Sequence, residues 1–446
     1  MVEHPTTIAE YARLYARGGS PERALADAHA RIVASDDPGI FLHHASRDAV
    51  LAAAAALDPA DRGRQPLWGV PFAVKDNIDL AGMPTTAGCP AFARTPDRHA
   101  GAVERLIAAG AVPIGKTNLD QFATGLVGVR TPHPVPRNPR ALGRVPGGSS
   151  SGSAVAVAAG LVPFALGMDT AGSGRIPAGL NGIVGLKPTP GAVSTRGVVP
   201  ACRSLDCVSV FARSVEDAWT AHAAMAGYDP EDPYSRDLPL GSPDHGGPVR
   251  VVGVPRAEDR PRFDPLAEAA WTDAVARMEA LGLRIVPVPM APFFAAAALL
   301  YEGAWVAERL APLEGFLDAA APDAVLPVTR AIIRGGARFT AADAFRALHH
   351  LAHLRRKAEA VWKSVDALAV PTAPLFPTLA EVAADPIGPN ARLGTFTNFV
   401  NLLGLAALAV PGPDRPDGLP AGATFIAPGG ADARLAALGR RFEAPA

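Results

Sequence analysis

With 446 residues, 49% hydrophobic and 19% charged, the chain is long enough for a large core in one α/β domain or several smaller ones. Lysine and arginine number 42 against 43 acidic residues, with no basic block or stripe, which excludes a nucleic-acid surface. Three cysteines, Cys89, Cys202 and Cys207, form no CxxC pair and no disulfide framework, and read as reduced thiols. The amphipathic N-terminus lacks an apolar leader, and the longest apolar runs, near 153–168 and 399–410, are too short for a membrane span. A cytoplasmic protein without membrane contact is expected.

Residues 6–34 read as two helices around Gly18-Gly19-Ser20, with Pro21 in a first turn. A third helix is predicted over 45–57, and these N-terminal helices fill about residues 5–60. Leu67 to Val74 is an apolar strand that delivers Lys75. A lysine at the end of a buried strand either snorkels to solvent or loses its proton and serves as a base. A helix over 99–109 and a strand over 111–115 follow. The text Gly110-Ala-Val-Pro-Ile-Gly115-Lys116-Thr117 fits the P-loop pattern. A P-loop needs a strand before it, an open cradle, then a helix. Here the order is helix, then strand, so ATP binding stays only as a rival from another class.

Residues 117–128 predict a short helix and loop, and 181–209 turns and short strands. A helix over 214–225 leads to a polar surface excursion at 228–248. Strand 249–254, helix 263–281 and strand 284–288 resume the alternation, followed by helices over 293–314 and 322–355. Strand 367–373 and a final helix over 431–442 close the chain. Interleaved strands and helices favour one α/β domain throughout, with its catalytic core over about 65–446.

The most informative stretch is Gly147 to Pro177, GGSSSGSAVAVAAGLVPFALGMDTAGSGRIP. Glycines beside serines let backbone N–H groups approach a bound atom closely. Three readings compete. One is a serine-rich cap on a buried helix. Another is the G-x-S-x-G elbow at Gly148–Gly152, which needs a hydrophobic strand where RNPRALGRVP stands. The third is a serine nucleophile activated by a lysine.

Lys75 in VKDN, the GGSSSGSA run and Ser173 in DTAGSGRIPA together resemble the amidase signature family over nearly the whole chain. The resemblance implies a mixed, twisted central sheet covered by helices on both faces, and no metal or cofactor. Carried over, it makes Ser173 the nucleophile, Ser149 a bridging serine after a cis peptide at Gly148–Ser149, and Lys75 the base. The residues alone do not choose Ser149 over Ser150. The oxyanion would sit against the N–H groups of Thr170, Ala171, Gly172 and Ser173, each worth about 3–4 kcal/mol. Asp169 and Arg175 are expected to order the loop as a pair.

Finer text, including RGVVPACRSLDCVSVFA and RLGTFTNFVNLLGLAALAVP, is similar to the allophanate hydrolases of that family. The resemblance implies hydrolysis of the terminal amide of allophanate, in urea use or s-triazine breakdown, on a small anionic substrate. It also implies a homodimer. Alternatives are another small-amide amidase, of biuret-type or aliphatic amides, and the amidase subunit of a tRNA-dependent amidotransferase. The substrate carboxylate would meet Tyr301 and Arg309. On one straight helix those side chains lie ~12 Å apart along the axis and ~80° apart around it, so both reach one ligand only through a helix break or long side chains.

Three departures stand out. Met168 replaces a common threonine, and His133-Pro134 replace a usual Tyr-Gly. The sequence also stops at Ala446, where such enzymes commonly carry a decarboxylating C-terminal domain. The expectation is either a piece of a longer protein, or a product that decomposes or passes to a separate decarboxylating protein.

Overall fold

A computed structural model describes residues 4–260 and 263–443; the ends of the expected domain, residues 1–3 and 444–446, lie outside them. Among the described residues, eleven strands form one mixed sheet. They are β1 Phe41–His44, β2 Pro71–Lys75, β3 Val112–Thr117, β4 Phe164–Asp169, β5 Val184–Lys187 and β6 Cys207–Ala212, then β7 Val251–Pro255, β8 Arg284–Val288, β9 Ala367–Pro371, β10 Ala406–Pro411 and β11 Gly422–Ala427. The order is β1-β3-β2-β4-β6-β5-β10-β11-β9-β7-β8. β2 runs parallel to β3 and β4, and β7 to β8 and β9; the other pairings are antiparallel.

Strand alternation splits the core between the two faces. On β2 and β4, Phe72, Val74, Phe164 and Leu166 join one core with Tyr11, Tyr15 and Trp219. Phe72 and Phe164 stack with ring centroids 5.2 Å apart. Ala73 and Ala165 face the other way, into a core with Ala154, Val155 and Leu25. Small residues there admit the helix Ser151–Ala158 close to the sheet. Lys75 follows the parity of Ala73, which is why its ammonium lies under the serine run.

The N-terminal helices are Ile8–Ala16, Pro21–Val33 and Arg47–Ala55, with Ser20 capping the second and Ser46 the third. Three expectations shift. The strand predicted from Leu67 begins only at Pro71, because Leu67–Val70 make a turn. The helix predicted over 322–355 is instead Pro327–Arg334, a 3-10 turn Gly335–Arg338 and Ala341–Glu359, broken at the glycine pair. The helix predicted over 293–314 divides into Ala291–Tyr301 and Trp305–Leu310, with Gly303 in the break. Among the described residues no helix is long and apolar enough to cross a membrane.

Candidate active site

β2 ends at Lys75, β4 ends at Asp169, and the helix Ser151–Ala158 begins beside both. Lys75 is fully buried. Its Nζ donates to Ser149 Oγ at 2.7 Å and to the Met168 carbonyl at 3.3 Å. Neither partner carries a charge, and no carboxylate pairs with this amine among the described residues. Burial, only partly opposed by Asp120, Asp206 and Asp169, lowers its pKa to about 7.

The peptide Gly148–Ser149 is cis. Gly148 is required here, because a Cβ would run into the Asp120 carboxylate and the Gly128 backbone. The neighbouring serines have other work. Ser150 Oγ bonds the Met168 main chain, and Ser153 Oγ bonds the Leu166 carbonyl at 2.8 Å and Thr117 at 2.6 Å. Ser151 Oγ is buried without a hydrogen-bond partner.

Ser173 lies in the turn after β4. Its hydroxyl donates to the Gly125 carbonyl at 3.5 Å, a contact too long to hold it firmly. Asp169 organises that turn. Its carboxylate accepts from the N–H groups of Gly172 and Gly174, each at 2.9 Å, and from both prongs of the Arg175 fork. The pair is wholly buried; burial alone would raise the Asp169 pKa, but Arg175 holds it below the usual range. The expectation that Asp169 and Arg175 order the loop is met. The expectation for Gly172 needs correction: its N–H points at Asp169, so it is spent. The N–H groups of Thr170, Ala171 and Ser173 have no acceptor among the described residues, and Thr170 is fixed by its hydroxyl on Asp206 at 2.5 Å. Burial pushes the Asp206 carboxyl up to about 6.

The helix break at Gly303 folds Arg309 back over Tyr301, with the guanidinium carbon 5.7 Å from the ring centroid. Arg309 is 1% exposed, and its Nη1 donates to the Thr124 hydroxyl at 2.9 Å and the Ala123 carbonyl at 3.4 Å. Both are neutral acceptors. Tyr301 also lines a cavity of about 700 Å³, with Arg130, Asn390 and Asn398.

Lys116, of the P-loop-like text, sits in β3 rather than a phosphate cradle, and its buried ammonium pairs with Asp76 at 3.1 Å. His133-Pro134 lie on a loop held by Asn118, whose Nδ2 donates to the Pro134 carbonyl at 3.0 Å. Sequence reasoning missed Asp120, Thr124, Gly125, Arg130 and Asp206. The one available signal was an acid in the apolar text LDQFATGLVG.

A family model, Amidase, matches residues 24–436. The chain belongs to the amidase family. It is accordingly an amidohydrolase that acts on amides. The urea amidolyase of Lachancea kluyveri is 48% identical over 387 residues, covering 86% of this chain and 21% of that protein. This amidase chain thus spans about a fifth of that relative's length. A glutamyl-tRNA(Gln) amidotransferase subunit of Acidothermus cellulolyticus is 37% identical over 486 residues, covering 98% of this chain and 94% of its own. Among solved structures, an allophanate hydrolase variant of Kluyveromyces lactis superposes with a TM-score of 0.93 at 42% identity, over 98% of this chain and 72% of that one. The mixed sheet covered by helices is the fold of these neighbours.

Proposed function

We propose that this amidase hydrolyses the terminal amide of allophanate, releasing ammonia and N-carboxycarbamate. The observation that carries the reading is Arg309, a buried guanidinium held on neutral acceptors beside Tyr301. A buried cation with no carboxylate within ion-pair distance is costly to hold, and a small substrate carboxylate would supply that direct partner. Lys75, unprotonated, takes the proton of Ser149, which takes that of Ser173 as it attacks the amide carbonyl. The oxyanion is met by the N–H groups of Thr170, Ala171 and Ser173, and of these Thr170 is braced by Asp206. Ammonia departs with a returned proton, and water releases the acyl group by the reverse relay. The likeness to urea amidolyase and allophanate hydrolase supports this substrate. The product would require a decarboxylating activity, fused or separate, and the chain would act as a homodimer.

One observation favours a second reading, the amidase subunit of a tRNA-dependent amidotransferase: the likeness to the Acidothermus cellulolyticus protein runs nearly end to end in both chains. Ammonia release by the isolated chain separates the two. Wild type should prefer allophanate to propionamide and glutamine, Ser173→Ala should lose at least about 10⁴-fold, and Arg309→Met should lose mainly allophanate activity. Turnover of glutamine alone, or of propionamide above allophanate with Arg309→Met indifferent, would sink the allophanate reading.

A further inference from the structure

We propose that Arg130 is a second cation of the substrate site, which acts beside Arg309 to favour amides bearing a carboxylate and to hold the dianion their hydrolysis leaves. This rests on the reading of the site as one for a small anionic amide. Both guanidinium groups are anchored on one residue. Arg130 Nη1 donates to the Thr124 carbonyl and Arg309 Nη1 to the Thr124 hydroxyl, each at 2.9 Å. The next residue, Gly125, carries the carbonyl that the Ser173 hydroxyl touches.

Arg130 is 4% exposed, and among the described residues neither arginine lies within ion-pair distance of a carboxylate. The other acceptor of Arg130 is the Pro386 carbonyl at 2.6 Å, and its Nε is buried without any. The nearby acid, Asp120, turns its oxygens to the backbone N–H groups of Gly128 and of Arg130 itself. Burial raises the pKa of Asp120, and the Arg130 guanidinium opposes that rise. Two like charges gathered on one threonine, both out of water, repel each other, and the acid that acts on Arg130, Asp120, stands beyond ion-pair distance. Arg130 also borders the cavity that Tyr301 lines.

The charge balance of the reaction fits a pair of cations. Allophanate, a urea carboxylated on one nitrogen, carries a single negative charge. It takes up water, its terminal C–N bond breaks, and the products are the dianion ⁻OOC–NH–COO⁻ and ammonium. The ligand passes from one negative charge to two. A single guanidinium matches the substrate, whereas two match the product.

The test compares wild type, Arg130→Met, Arg130→Lys and Arg309→Met in kcat and KM for allophanate and propionamide, and in inhibition by malonate and propionate. Arg130→Met should lower the allophanate-to-propionamide ratio of kcat/KM by about tenfold or more, chiefly through KM. It should weaken malonate more than propionate, and Arg130→Lys should restore part of both differences. Equal losses on both amides and both inhibitors would make Arg130 a mere brace for Thr124 and Pro386. Should Arg130→Met fail to fold, Arg130→Gln decides: a ratio within about twofold of wild type overturns the proposal. If wild type itself prefers propionamide, the allophanate reading falls instead, and the malonate and propionate arms still judge Arg130.

Discussion

β2 and β3 lie side by side in parallel, and each delivers a fully buried lysine near its C-terminal end, with Val74 opposite Lys116 and Lys75 opposite Thr117. Their surroundings differ in one respect. Lys116 meets the Asp76 carboxylate at 3.1 Å, the Thr85 hydroxyl and the Pro84 carbonyl, and Asp76 is held in turn by Thr86. Lys75 meets a serine hydroxyl and a carbonyl, both uncharged. Burial depresses both pKa values, but the charge partner works against that fall directly at Lys116 and only from a distance at Lys75. Depth does not mark a base; the missing counter-ion does.

The largest effect should come from replacing Lys75. Lys75→Met is expected to lower kcat/KM by about 10⁴-fold, with a thermal midpoint at or above that of wild type, since it removes an amine that burial disfavours. Lys116→Met should act the other way round. Stranding Asp76 costs about 3–5 kcal/mol of stability by denaturant titration, while the molecules still folded at low temperature turn over substrate at nearly the wild-type rate. An inert Lys116→Met protein with undiminished stability would break the contrast.

A pH profile sharpens it. Protonated Lys75 cannot accept a proton, so kcat/KM should climb about tenfold per pH unit below about 7 and flatten above it. The smallest expected effect is on that limb in Lys116→Met: its midpoint should move by less than about 0.3 units, because the titrating group is on the other strand. A midpoint that follows Lys116 would reassign the base.

Much of this was readable from the residue text, and the failures have physical causes. The apolar run before Lys75 left two fates for that lysine, snorkelling or burial as a base, and helix before strand exposed the P-loop match at Gly110–Thr117 as a decoy. Ser149 was not separable from Ser150 by residue type, since only the path of the chain decides which hydroxyl meets Lys75. The fate of the Gly172 N–H was hidden because it depends on where the Asp169 carboxylate turns, a matter of two torsions. Arg130 and Thr124 were missed because their contacts span loops brought together only by the sheet. The division of 293–314 was left open, as a break or as long side chains, because the glycine there reads as a tolerated helical residue.

That glycine has a consequence for how such a site can drift. At Gly303 a Cβ would lie 2.6 Å from the Leu299 carbonyl oxygen and 3.0 Å from its Cα, main-chain atoms that cannot swing aside. Any larger residue has to prise Ala291–Tyr301 and Trp305–Leu310 apart, and with them the ring and the guanidinium. A lineage could therefore exchange one amide for another while every side chain that touches the ligand stays the same, through a single methyl group at a bend.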